Sequence, residues 1–195
     1  MNITFKKYTF EQFTALHKCD NGKMLDGCII SKEIIQPNQH EHPFIVDAYL
    51  LIICDTGSLQ IRQNSCLYNI SQDMVFFYLP GNIISWICDI NSCITYLIIS
   101  QEFMRNHFYL GKMSMAFLKV KSTPQIYLSE IAQNDIYQMT NCIKTCINNA
   151  NLSEWSKKAA ISSVKMLLYS FIQQIKLSPD NPNKKYDKKY SFRNE

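Results

Sequence analysis

The residues best equipped for chemistry are His40 and His42, which stand two apart in the stretch His40-Glu41-His42-Pro43-Phe44. On an extended strand, positions two apart face the same side, so both imidazoles could ligate one metal ion. Asp47 would add a carboxylate and complete a two-histidine, one-carboxylate set, the arrangement that suits non-haem iron. On a straight strand, however, Asp47 faces away from both histidines unless Pro43 bends the chain, and no histidine follows Pro80-Gly81. The pattern reads as solvent-facing histidines ahead of a strand, and neither a metal nor a cofactor is expected. Cys142 and Cys146 share a face of an expected helix and Cys88 and Cys93 flank a turn, but neither pair has Cys-x-x-Cys spacing or a nearby histidine. They read as small apolar core residues. His17 and His107 have no catalytic company in the sequence, and there is no glycine-rich phosphate loop or Gly-x-Ser-x-Gly elbow. No catalytic residue is assigned, and the chain is expected not to be an enzyme.

The stretch from His40 to Trp86 must position whatever site exists. It reads as four or five short strands with almost no helical period. Phe44 to Cys54 is apolar except for Asp47 and rich in residues that fit a pleated, packed surface. Asp55-Thr56-Gly57-Ser58 is turn chemistry, Leu59 to Ile70 resumes the apolar pattern around Gln63-Asn64-Ser65, and Met74 to Leu79 stops at Pro80-Gly81. Short strands at this spacing point to a β-sandwich or barrel. Ahead of it, Thr9 to Phe13 suggests a helical turn and Met24 to Ile35 one or two strands. Behind it, Cys93 to Ser100 is a strand, Ser100 caps a short helix, Ala116 to Val120 reads as another strand, and Pro124 closes the β region. Two helices follow, Glu130 to Asn149 capped by Ser129 and Glu154 to Leu177 capped by Ser153, joined closely enough to lie antiparallel.

Composition narrows the classes. A chain of 195 residues has room for one good core, and its 47% apolar and 18% charged residues are ordinary for a globular domain. The N-terminus lacks an uninterrupted apolar stretch, no apolar run is long enough to span a bilayer, and no membrane partner is expected. Eight cysteines are sparse for a disulfide scaffold and several, Cys54, Cys88 and Cys93, sit on apolar strands, which points to a reduced, cytoplasmic protein. The net charge of +4 is concentrated at the end, where residues 176–195 carry six Lys or Arg against three acidic residues. The folded part is close to neutral and shows no stripe for phosphates, so this chain is not expected to grip DNA itself.

The ordered set Gly57, Tyr68 and Gln72-Asp73-Met74-Val75-Phe76-Phe77-Tyr78-Leu79-Pro80-Gly81-Asn82 resembles the core of the cupin-like sensor domain at the N-terminus of bacterial AraC-family transcription regulators. That family has a Gly-Asp, an apolar strand and a Pro-Gly turn there; this chain has Gln72 for the Gly, and Ile84 and Ser85 where many relatives carry a histidine. His42-Pro43-Phe44 with Asp47-Ala48-Tyr49 resembles the Bacteroides-type branch. The resemblance implies a mainly β fold with C-terminal helices: a cupin-like (double-stranded β-helix) barrel over residues 1–124, then an antiparallel helical pair over 125–177. Residues 178–195 would be a linker to a pair of helix-turn-helix units beyond Glu195, which would carry all DNA binding. The implied function is effector sensing and dimerisation. A small β-barrel can hold one ligand, and His42, Asp47, Tyr49, Tyr78, Trp86 and Tyr96 are the candidate contacts for an unknown small-molecule effector. The apolar face Trp155, Val164, Leu168, Phe171 and Ile175 either packs wholly on the barrel or, as the resemblance implies, forms a homodimer interface. The alternatives are a metal-dependent cupin enzyme (a dioxygenase or isomerase), since such cupins use a similar His-x-His pattern, and a dimerisation module without a ligand.

Overall fold

The computed structural model describes residues 5–17, 25, 27–35, 40–72, 74–88, 92–148 and 153–177. Strand β1 (Lys6–Tyr8) leads into helix α1 (Phe10–Leu16) through a reciprocal capping box between Thr9 and Gln12. The strands that follow are β2 (Cys28–Ile35), β3 (His40–Val46), β4 (Ala48–Thr56), β5 (Ser58–Gln63), β6 (Cys66–Ser71), β7 (Met74–Tyr78), β8 (Ile83–Ile87) and β9 (Ser92–Ser100). Helices α2 (Gln101–His107) and α3 (Leu110–Ser122), strand β10 (Gln125–Tyr127) and helices α4 (Glu130–Asn148) and α5 (Glu154–Leu177) complete the described elements.

The strands form two five-stranded sheets, in the orders β1-β3-β8-β5-β6 and β10-β7-β4-β9-β2. They enclose a first core that includes Phe44, Ile52, Ile61, Phe76, Trp86 and Tyr96. The second sheet is buried on its other face as well, where Leu51, Phe77, Leu97 and Ile99 meet α2 to α5 in a second core. Burial on both faces explains why β4 is an almost continuous apolar run rather than an alternating one. The turn from β4 to β5 requires Gly57: its φ is 84°, and a Cβ there would stand 2.6 Å from the Ser92 hydroxyl, which itself bonds both the amide and the carbonyl of Ser58.

The three expected serine caps are all in place, with Ser100, Ser129 and Ser153 accepting from the amides of Phe103, Ala132 and Ser156. Three expectations change. The segment Ala116 to Val120 is helical, not a strand, because Met113, Ala116 and Val120 recur at helical spacing and all are buried. The β region runs past Pro124, since β10 pairs with β7. The face Val164, Leu168, Phe171 and Ile175 is at most 2% exposed within the single chain, because it covers the outer side of the second sheet. Of the five residues set aside for a dimer interface only Trp155 is open, at 79%. The expected linker over 178–195 lies outside the described residues. No described helix is long and apolar enough to cross a membrane.

Candidate functional site

Helix α1 carries an apolar stripe at i, i+3 and i+7, and its last member is His17, so Phe10, Phe13 and His17 all point into the space between the sheets. From the other side, β2 alternates so that Ser31 and Glu33 are buried while Lys32 and Ile34 are exposed. The two elements meet in a polar pair: Nδ1 of His17 lies 2.6 Å from Oε1 of Glu33, with side-chain exposures of 0% and 6%. The Ser31 hydroxyl donates to the His17 carbonyl at 2.9 Å, tying the end of α1 to the sheet. Around the pair stand aromatic rings. His17 packs on Phe13 at 4.4 Å and on Tyr96 at 5.1 Å, Tyr96 reaches Trp86 at 6.1 Å, and Trp86 meets Phe44 edge-on at 5.2 Å. A buried carboxylate–imidazole pair inside an aromatic wall places directional polar groups in an apolar setting.

The structure brings together only part of the expected ligand set. Trp86 and Tyr96 line this interior. Tyr78 lies in the same core, but its hydroxyl is occupied, donating to the Asn82 carbonyl at 2.7 Å and accepting from the Val46 amide at 3.1 Å. Burial pushes its phenol up to about 12. Tyr49 is on the wrong face of β4 for the interior. It is half-buried on the helix side, stacked on Phe117 at 5.8 Å, and burial raises its pKa. His42 is exposed on β3. Asp47 is exposed at the bend into β4, where it accepts from the Gln101 side chain and its amide donates to the Tyr8 carbonyl at 2.9 Å. The His40 side chain lies outside the described residues, and no group of three potential metal ligands occurs among the described residues. His17 and Glu33 went unassigned from sequence. The available signal was the helical spacing from Phe10 to His17, but the partner lies sixteen residues on, in another element.

A second polar cluster lies on the helix side of the same sheet. Asp55 accepts from Thr95 at 2.8 Å and pairs with Lys32 at 3.1 Å, at the mouth of a cleft of about 450 Å³ that Tyr137 and Thr140 of α4 complete. Burial lowers the pKa of Lys32, and the Asp55 carboxylate more than reverses this, so it ends raised. Lys144 of α4 is held below its ordinary pKa by burial and by the Lys32 charge.

No protein-family profile matches the sequence, and no curated protein matches it. Solved structures do. The AraC-like transcriptional activator CuxR superposes with a TM-score of 0.58 at 12% identity, covering 83% of this chain and 56% of that one. Apo ToxT from Vibrio cholerae superposes with a TM-score of 0.53 at 10% identity, covering 80% of this chain and 60% of that one. These likenesses show a shared fold, and this chain spans less than two thirds of the length of either protein.

Proposed function

We propose that this chain is the effector-sensing and dimerising part of an AraC-type transcription regulator of the Bacteroides-type branch: a cupin-like barrel followed by an antiparallel helical pair. DNA binding then belongs to a further region with helix-turn-helix units. The observation that carries this reading is the fold shared with an AraC-like activator over most of this chain but little more than half of the other. The short link between α4 and α5, with the Cys142 thiol 3.4 Å from the Ser163 hydroxyl, supports the antiparallel arrangement. The reading assigns binding rather than catalysis, and a cytoplasmic location.

Within it, the effector site is the barrel interior at His17, Glu33, Trp86 and Tyr96. Helix α1 closes that interior with Phe13 and His17, so an effector that displaces or clamps α1 would shift the balance between two arrangements of the chain. The homodimer uses the outward side of the C-terminal half of α5, where Met166 and Tyr169 are exposed, because its inward side is already covered. Sequencing the gene downstream of the codon for Glu195 tests the reading. A frame that continues into two helix-turn-helix units is the expected result, and a stop codon at that point would overturn it.

A further inference from the structure

The cations of this molecule are less evenly spread than the sequence suggested. Residues before 176 are close to neutral overall, yet a groove of about 530 Å³ between the end of α2 and the outward side of α5 gathers Lys157, Lys158 and Lys165 with His107. Helical geometry makes the cluster: positions 157, 161 and 165 form one row along α5 and 158 and 162 the next, so three ammonium groups share one face. Among the described residues one carboxylate lines the groove, Glu154, 77% exposed and 3.6 Å from Lys157. An exposed pair of this kind is worth little and leaves the positive potential in place. Lys158 also lies over the Trp155 ring at 5.1 Å, which holds its ammonium at the groove edge.

We propose that this groove binds a small molecule carrying two phosphate groups, with Lys157, Lys158 and Lys165 as the charged contacts. The lysines span eight positions of α5, about 12 Å along the helix axis. Lysine ammonium groups sit on flexible stems, so charges set along this length can converge on a compact diphosphate lying between them. A DNA duplex presents charge as a long, regular line and calls for an extended stripe of cations, whereas these cations are gathered in a concave site. The groove lies outside the barrel, so a phosphorylated ligand there would be distinct from the barrel effector.

The test is isothermal titration calorimetry of the whole chain with inorganic pyrophosphate at low ionic strength. Saturable binding at one site per chain is expected. Lys158→Gln with Lys165→Gln should weaken it by about tenfold or more, while Lys119→Gln with Lys121→Gln, on α3 and away from the groove, should leave it unchanged. Lys158→Gln alone, at an exposed position, guards against loss of fold in the double variant and should weaken binding in the same direction. Absence of saturable binding, or equal weakening in groove and control variants, overturns the proposal. So does a short DNA duplex that binds more tightly than pyrophosphate through the same lysines.

Discussion

Replacing Glu33 by alanine leaves the buried His17 imidazole without its carboxylate. The pair is at 2.6 Å, the imidazole is fully buried, and the carboxylate is nearly so. Removing one partner costs about 1–3 kcal/mol, because a buried polar group loses its hydrogen bond and stays desolvated. That is a substantial share of the ~5–15 kcal/mol that holds a domain folded. For a chain of this size it corresponds to a fall in Tm of roughly 2–12 °C. Glu33→Gln keeps a hydrogen-bond partner and surrenders only the charge assistance, a loss of about 1 kcal/mol. Replacing both residues with apolar ones, His17→Leu with Glu33→Met, should be close to neutral, since neither desolvation cost is then incurred. The assay is urea unfolding followed by far-UV circular dichroism, with the slope m unchanged across the series. The double variant also separates stability from sensing. It should fold but lose stabilisation by the proposed effector, because only a ligand that binds the native state raises apparent stability. A loss below about 1 kcal/mol for Glu33→Ala would refute the desolvated-pair reasoning.

Tyr78 supplies a pH signature: its folded pKa of about 12 exceeds an unfolded value of about 10, so its contribution is complete below about pH 10 and is lost as pH rises toward 12. The loss approaches about 3 kcal/mol, and Tyr78→Phe should lack this alkaline decline in denaturant titrations while starting about 1–3 kcal/mol less stable, its Val46 amide having lost an acceptor. A variant that declines in parallel with the parent would rule Tyr78 out as the source. On α5, Phe171→Asp should abolish folding, because the side chain is fully buried, whereas Met166→Asp, at a 59% exposed position, should leave stability within about 0.5 kcal/mol and shift sedimentation toward monomer. A folded, monomeric Phe171→Asp protein would contradict the packing of α5 on the sheet.

What the sequence determined by itself was local. Ser100, Ser129 and Ser153 mark helix starts because a hydroxyl and an amide three residues on satisfy each other within one turn. Gly57 marks a turn because the conformation needed there is one that side chains resist. β-branched runs mark strands wherever both faces will be buried. Tertiary structure decided the rest. The same apolar composition served a helix at Ala116 to Val120, since short apolar runs do not distinguish the two periods and the choice fell to what lay opposite. Tyr49 and Tyr96 are both tyrosines on neighbouring strands, yet opposite faces of one sheet send the first to the helices and the second to the core between the sheets. His17 and Glu33 became a pair, and His107 joined three lysines, only because separate elements were brought within reach. Hydrogen bonds within a turn can be read from neighbouring letters, whereas these contacts depend on sheet register and helix docking, which are properties of the whole fold.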